Sequence, residues 1–546
     1  MKKLISMTIL CVTSLVLAAC GNQAQKDSND LESLPDLNGR YEIDEKTPAW
    51  KLDTKEEPTK LTWFIENAGF NDSPWGEDIV TRKIKEDLNL DIEIIAGDEQ
   101  ALNTFFASDN IPDIISLYDG GKSKLSKSAQ KWSLPLNKLA EKYDPYFFEV
   151  TSEDTLKWYK MDDGNTYGYA SFSNTEEDLL SGVIPSHNAF VVRGDVLKEI
   201  PDLDFTTPSE FERSLEKINQ KFPELIPLGF GEMKNHLGSI GGALQDMIGV
   251  PWVDEENNYY DRNMDEEYLK WIDVLREAHK NGFISDDSFA DDYDTVLEKI
   301  KIGKYAAMFV QGTHAYQPSF QGLMDKAPES AYKPVDAFQS DKYDGPALSQ
   351  GGLSGYTTTY ITKENKDPAK SIQFFTYMIS EEGAVTVNFG VKDESFYEDE
   401  VGYYHLNDKY QKMKNDDLDA FKEKTRIGEI PFFGHDNGNA VKYQDPEDIG
   451  WVKAILPFQE WGKGKLVPKF EIDGIDPDHG TVEARNLTAI NDEFTTTIIS
   501  AIRSEDKETF DQKIADFKKF RREHGWEDIV KVFNQKIQGN MERLKD

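Results

Sequence analysis

A strand–helix–strand–helix–strand alternation opens the body of this chain and restricts its fold more than any other feature. Leu61-Thr62-Trp63-Phe64-Ile65 is a run of β formers. Val80, Ile84 and Leu88 then recur at a spacing of four, one face of a helix. Before them, Asn71-Asp72-Ser73-Pro74 reads as the helix start, with Ser73 as cap and Pro74 as first helical residue. Asp91-Ile92-Glu93-Ile94-Ile95 is a second strand, 102–107 a second helix, and Pro112-Asp113-Ile114-Ile115-Ser116-Leu117 a third strand. Such alternation predicts an α/β fold with a parallel sheet covered by helices. Ligands sit beyond the carboxyl ends of the strands in such sheets. Tyr118-Asp119-Gly120-Gly121 and the loop 67–75 occupy those ends. A second run starts near Asn188 with Ala189-Phe190-Val191-Val192. Helices follow at 209–222, opened by Thr207-Pro208-Ser209-Glu210, and at 266–281. The 546 residues allow about two to four domains. No repeat of about 20–50 residues is visible, which argues against solenoids and propellers.

The amino terminus is of another kind. Lys2 and Lys3 precede an apolar run from Leu4 to Ala19, interrupted by Ser6, Thr8, Thr13 and Ser14. It is too short and too broken for a transmembrane helix. It ends Leu17-Ala18-Ala19-Cys20-Gly21, which resembles the bacterial lipoprotein signal. That resemblance implies a signal peptide over 1–19, cleavage before Cys20 and lipid on its sulfur. Cys11 would leave with the signal, so no free thiol would remain. Residues 20–57 are polar, without a persistent helical or strand period, and read as a flexible tether spanning roughly 30–40 Å. Trp50 is the residue in it with the means to dock on the body.

Charge narrows the choice of partners. Lys and Arg number 62 against 100 Asp and Glu, a formal net charge of −38. Phosphate binding draws on Lys and Arg, so nucleic acid is disfavoured, and so is charge-held binding to an anionic membrane. Enzyme signatures are missing. Gly351-Gly352-Leu353-Ser354-Gly355 falls one residue short of a nucleophile elbow. H-E-x-x-H, P-loop and paired C-x-x-C patterns are absent, and no catalytic residue is assigned. Asp286-Asp287 and Asp291-Asp292 lack the order of an EF-hand loop and read as a solvated acidic loop. No metal or cofactor is expected.

Several segments together resemble the bacterial extracellular solute-binding proteins of the maltose-binding-protein-like superfamily. More narrowly, they are similar to the long lipoproteins of oligosaccharide and aldouronate ABC importers. Asn165-Thr166-Tyr167-Gly168-Tyr169 resembles the crossover after the first lobe. Val191-Val192-Arg193-Gly194-Asp195-Val196-Leu197 resembles the "R-x-D-W-L" step, with Val196 in place of Trp. Gly303-Lys304-Tyr305-Ala306-Ala307-Met308 resembles "G-K-x-A-M", Asp367 to Gly383 a helix ending in "S-x-E-G", and Phe389-Gly390-Val391-Lys392-Asp393-Glu394 "Y-G-x-E-G". Asn491-Asp492-Glu493-Phe494 begins segments like the family's last helices. Order and spacing over about 450 residues, more than any one motif, carry the likeness.

The resemblance implies a two-lobed periplasmic-binding-protein-like fold, with a ligand cleft between lobes joined by three hinge crossings. Lobe 1 would take 58–169 plus 352–425, and lobe 2 170–351 plus 426–546. The crossings would be 169–188, 351–358 and the region near Arg426. It also implies a lipid-anchored receptor on the extracellular face of a Gram-positive cell membrane. Such a receptor would be a monomer that passes an oligosaccharide to an ABC permease and its ATPase subunits. A peptide receptor of the same fold and a surface glycan-cleaving enzyme are the alternatives. A sugar's apolar faces want flat rings, and its hydroxyls want paired polar groups. Trp75, Tyr118 and Asp119 are the ligand-contact candidates of the first lobe. Asn235 and His236, in a glycine-bounded loop, and His314 and Tyr316, at the position of the family's "G-P-W-A-W", are those of the second. Trp252, after Val250-Pro251, reads equally as a ligand contact or a core residue, whereas Trp451 and Trp461 read more readily as packing residues. Arg426 and Arg485 could pair a substrate carboxylate bidentately, but in so acidic a chain each reads more readily as the partner of a neighbouring Asp or Glu. Many long relatives carry a calcium loop after the helix corresponding to 209–222. Here it is shortened to Pro223-Glu224, which offers too few oxygens.

Overall fold

The computed structural model describes residues 34–171, 173–182, 184–233, 237–350, 352–430, 442–445 and 453–545. Two sheets organise it, one in each lobe. The first holds β1 (Thr59–Glu66), β2 (Leu90–Gly97), β3 (Ile114–Leu117), β4 (Gly168–Ala170) and β9 (Thr358–Ile361), in the order β2-β1-β3-β9-β4. β1 runs parallel to β2 and β3, as the alternation requires. β9 is antiparallel to both its neighbours, so the sheet is mixed rather than parallel throughout. The chain re-enters this lobe beside the carboxyl end of β3 and can only run back against it. Trp63 at the centre of β1 is fully buried, pairs in register with Ile94 and Ile114, and stands edge-on to Phe374 at 5.6 Å. Phe374 lies on the helix Pro368–Ile379, all of whose residues are buried.

The first helix, α1 (Ile79–Leu88), begins later than Ser73-Pro74 suggest. Its cap is Asp78, whose carboxylate accepts the Thr81 N–H at 2.8 Å. The Ser73 hydroxyl is spent on Asn71 at 2.7 Å, and Gly76 at φ +91° breaks any helix begun at Pro74.

The tether expected over 20–57 does not extend to 57. Residues 34–57 are packed on the first lobe. Trp50 is 6% exposed, edge-on to Tyr377 at 5.4 Å and to Tyr146 at 6.2 Å. Asp53 takes the Lys370 ammonium at 2.7 Å and the Arg40 guanidinium at 2.5 Å, and those cations hold its carboxyl well below the usual range despite burial. Arg40 and Lys55 both reach Asp367, at 3.0 and 2.7 Å. A polar composition misled here because the charges of Arg40, Asp53 and Lys55 have partners on the helix Pro368–Ile379 or beside it. Residues 20–33, Cys20 among them, lie outside the described residues.

The second sheet holds β5 (Asn188–Arg193), β6 (Ile226–Gly229), β7 (Tyr305–Gln311) and β8 (Tyr332–Pro334), in the order β6-β7-β5-β8. β6 and β7 are parallel, and β5 is antiparallel to β7 and β8. Helix α2 (Pro208–Lys221), capped by Thr207, sends Phe211 into a cluster with Phe190, Phe205 and Phe338. Burying each such ring stabilises by about 1.5–3 kcal/mol. Pro223-Glu224 is a short turn, closed by the Leu225 N–H donating to the Phe222 carbonyl. The last three helices, Val482–Ile502, Lys507–Glu523 and Trp526–Lys545, bury Ile490, Phe494, Phe517 and Ile537 on the same core. Among the described residues no helix is long and apolar enough to cross a membrane.

Candidate functional site

The strand ends of the first lobe are fastened to the middle crossing. Gly120 donates its N–H to the Tyr356 carbonyl at 3.2 Å. A Cβ on Gly120, at φ +56°, would meet the Gly355 carbonyl oxygen at 2.9 Å, so the close approach requires glycine. Tyr118 and Tyr356 thereby stand side by side, 52% and 41% exposed, ring centroids 5.4 Å apart. Beneath them the Glu66 carboxylate, at the end of β1, accepts the Tyr118 N–H at 2.8 Å. Burial raises the Glu66 pKa above its ordinary value, with that N–H opposing and Asp119 adding to the rise. Asp119 faces its own loop. It accepts the N–H groups of Gly121 and Ser123 at 2.9 and 3.0 Å and the Ser126 hydroxyl at 2.6 Å. It positions Tyr118 and has little acceptor capacity left for a ligand. Trp75 is buried edge-on to Phe374 at 6.4 Å, in the core of the lobe.

On the second lobe, β7 ends where β5 begins, with Gln311 paired to Asn188. Gly312, at φ +81°, turns the chain into the helix Thr313–Lys326. The Thr313 hydroxyl donates to the Ser186 carbonyl at 2.6 Å, and the Gly312 N–H to that of His187 at 2.9 Å. His314 is exposed, its ring 6.4 Å from that of His187. Tyr316 is 6% exposed and packs on Tyr293 and Phe320 in the core. The two residues part company because positions two apart on a helix point about 200° apart. The structure therefore brings His314 to the rim with His187 and withdraws Tyr316. Asn235 and His236 lie outside the described residues, as does Trp451.

Behind this rim Asp246 is fully buried and takes four hydrogen bonds. They come from the Asn188 amide at 2.7 Å, the Arg262 guanidinium at 2.7 Å, and the hydroxyl and N–H of Ser349 at 2.6 and 3.1 Å. One carboxylate thus ties the head of β5, the segment leading into the middle crossing and Arg262 together. The His187 N–H donates to the Gln350 side chain at 3.2 Å. Burial pushes the His187 pKa down to about 4, with His314 and Lys469 adding to the fall and Asp246 opposing it. His314, although exposed at the rim, has its pKa lowered in the same direction by partial desolvation against the wall.

Near the crossings the lobes touch through residues after 466. Lys122 pairs with Asp473 at 3.3 Å, Lys127 with Asp478 at 2.8 Å, and Trp158, Leu353 and Phe470 form a small apolar cluster. Arg426 is buried, 3.7 Å from Asp78, as expected, whereas Arg485 donates to the Gly480 carbonyl at 3.1 Å and not to a carboxylate among the described residues. Trp461 donates to Asp336 at 2.9 Å. The residues that sequence reasoning did not single out for the site are His187, Asp246, Arg262, Tyr356 and Lys469. Only Tyr356, beside Gly355 in an expected hinge, carried a signal.

The model of the bacterial extracellular solute-binding protein family matches residues 73–385, more than half of the chain. Among solved structures, an HMO-binding, ABC-transporter-associated solute-binding protein of Bifidobacterium longum infantis is 14% identical. It covers 88% of this chain and 99% of its own, at a TM-score of 0.63. The Streptococcus pneumoniae ABC-transporter substrate-binding protein FusA, in complex with kestose, is 15% identical, with coverages of 88% and 99% and a TM-score of 0.57. The N-glycan transport solute-binding protein NgtS of Streptococcus pneumoniae is 13% identical, with coverages of 90% and 100% and a TM-score of 0.56. At these identities the likeness is one of fold. No curated protein sequence matches this one.

Proposed function

The chain belongs to the bacterial extracellular solute-binding proteins, and on that premise we propose that it captures an oligosaccharide between its lobes and delivers it to an ABC permease. The observation that carries the ligand class is the exposed ring pair Tyr118–Tyr356 on one wall, with the imidazoles of His187 and His314 on the other. Flat rings cover the C–H faces of a sugar, and imidazoles both donate and accept toward its hydroxyls. Neighbours named for HMO, kestose and N-glycan support the same ligand class. Asn235 and His236 are proposed contacts on the second wall; Trp75, Asp119 and Tyr316 act indirectly, by holding the walls.

In this proposal lobe 1 is built from 58–169 plus 352–425, extended by 34–57, and lobe 2 from 170–351 plus 426–546. Closure brings the walls together, and the ligand favours the closed state because only there does it touch both. The protein acts as a monomeric receptor without catalytic activity, nucleic-acid partner or metal. It is held at the outer face of a Gram-positive membrane by lipid on Cys20, with the ATPase subunits on the far side. A thermal-shift panel of oligosaccharides and peptides tests the ligand class. A ligand at about 100 times its dissociation constant stabilises by ~2.7 kcal/mol, and a response to peptides alone would overturn the reading. Cys20→Ala should release the protein from the membrane fraction, and retention there would refute the anchor.

A further inference from the structure

Residues 34–57 hold to the first lobe through side chains. Their backbone-to-backbone hydrogen bonds among the described residues stay inside the segment: Arg40 to Leu37, Lys51 to Pro48, Leu52 and Asp53 to Ala49, and Thr54 to Arg40. The grip on the body comes from the Trp50 ring against Tyr377 and Tyr146, from Asp53 on Lys370, from Lys51 on Glu382 at 2.7 Å, and from the Tyr41 hydroxyl on the Tyr143 carbonyl at 2.9 Å. A segment held in this way can leave as a unit while the sheet beneath it, which begins at Thr59, stays intact.

Two buried carboxylates in this interface are partnered in opposite ways. Asp53, on the segment, meets two cations, Arg40 and Lys370. Asp144, fully buried on the body beneath, has no ion-pair partner among the described residues. One of its oxygens accepts the Ala49 N–H at 3.0 Å. The other is buried without a hydrogen-bond partner, since the nearby Thr376 hydroxyl donates to the Ile372 carbonyl at 2.9 Å. Trp50 Nε1 and both polar atoms of the Gln373 side chain are also unanswered, where buried polar groups are ordinarily bonded. An ionised Asp144 is therefore enclosed without counter-charge or full hydrogen bonding, and departure of the segment returns it to water.

We propose that 34–57 is a detachable strap whose grip on the first lobe depends on pH through Asp144: it holds while that carboxyl is neutral and loosens when it ionises. Burial raises the Asp144 pKa to about 6, against the pull of the Ala49 N–H and the Thr376 hydroxyl. Its share of the grip is complete below about 3.8 and is lost as pH rises through 6. Asp53 has the opposite sign. Burial works against its ionisation, but Arg40 and Lys370 outweigh that and hold its carboxyl well below the ordinary range. Its share is present above about 3.8 and fails only in stronger acid. The other titratable groups around Asp144 are Tyr41 and Arg40 on the strap, Tyr143 beside it, and Lys370 and Tyr377 on the helix Pro368–Ile379. Burial raises the three tyrosines, which stay neutral, and Asp53 keeps the two cations charged. The strap is thus tightest near about pH 4 and loosens toward neutrality. On the reading that lipid on Cys20 anchors the protein, loosening lengthens the span between anchor and body from residues 20–33 to residues 20–57, and extends the reach of the receptor.

Hydrogen exchange on the full chain tests the strap without anchor or ligand, at about pH 4.5 and about pH 7.5, each rate divided by the intrinsic rate at that pH. Protection of the Lys51, Leu52 and Asp53 amides should fall roughly 10- to 30-fold from the acid to the neutral condition. The amides of β1 should exchange far more slowly than the strap at both. Asp144→Asn should make strap protection equal in the two conditions. Strap protection that is independent of pH in wild type overturns the proposal. So does a strap that exchanges at the rate of β1, because it is then no unit of its own, and so does an Asp144→Asn variant that keeps the wild-type pH dependence. The wild-type measurement decides alone if Asp144→Asn does not fold.

Discussion

The two walls of the cleft are built on different principles. The first-lobe wall is rigid backbone that displays rings. Gly120 and Gly355 bring two segments into contact, Asp119 locks the loop, and Tyr118 and Tyr356 project from it. The second-lobe wall is a polar lattice. Asp246 holds Asn188, Arg262 and Ser349, and His187 and His314 stand at its edge. In the first, binding groups and structural groups are separate residues, so a ring can be removed without loosening the loop. In the second, the lattice that shapes the wall also carries its charge, so a single change should disturb fold and binding together.

The largest effect should come from breaking the lattice. Asp246→Ala leaves Arg262 buried without its counter-charge, and should cost about 3–5 kcal/mol of stability by denaturant unfolding. A loss under about 1 kcal/mol would mean that the second wall is no more integrated than the first. Tyr316→Ala comes next. As a core ring packed on Phe320 and Tyr293, its loss should cost about 3 kcal/mol in ligand-free melts. His314→Ala should leave the melt unchanged and weaken glycan binding, and the reverse pattern would undo the division between these helix neighbours. Tyr118→Ala and Tyr356→Ala should lower affinity about 5- to 30-fold by calorimetry, from ~1–2 kcal/mol of stacking, with unchanged ligand-free melts. If they destabilise as Tyr316→Ala does, the rings hold up the first wall.

The smallest effect sets the lobes against each other in pH. Burial pushes the His187 pKa down to about 4. The unfolded chain therefore takes up this proton first, and the stability contributed by neutral His187 is lost as pH falls from about 6.5 through 4. Asp144, buried in the first lobe, has its pKa raised by burial to about 6, with the Ala49 N–H opposing. Its contribution has the other sign. It is fully present below about 3.8 and is lost as pH rises through 6. Melting curves between pH 4 and 7 should show His187→Gln gaining relative to wild type at the acid end and Asp144→Asn at the neutral end. Parallel curves for both variants would contradict the assignments.

Most of the elements were legible in the sequence because local chemistry decides them. β1, β2 and β5, and the helix opened by Thr207-Pro208, stand close to where the β-branched runs and cap residues put them. The start of α1 was misread, since Ser73-Pro74 and Asp78 are both valid caps and only the positive φ of Gly76 chooses between them. The candidate site was legible in part. Tyr118 and His314 are at the rim; Trp75 and Tyr316 are in cores.

The sequence by itself determined the alternation of strands and helices, the basic residues and apolar run before Cys20, the acidic balance and the spacing of family-like motifs. All are set by neighbours within a few residues or by composition. Tertiary structure alone decided that 34–57 belong to the first lobe, because Asp53 and Trp50 find Lys370 and Tyr377 more than 300 residues away. It decided likewise that Asp246, Arg262, Ser349 and Lys469 converge behind His187. Charges so far apart in sequence have no pattern to read, and only the closing of the crossings makes them neighbours.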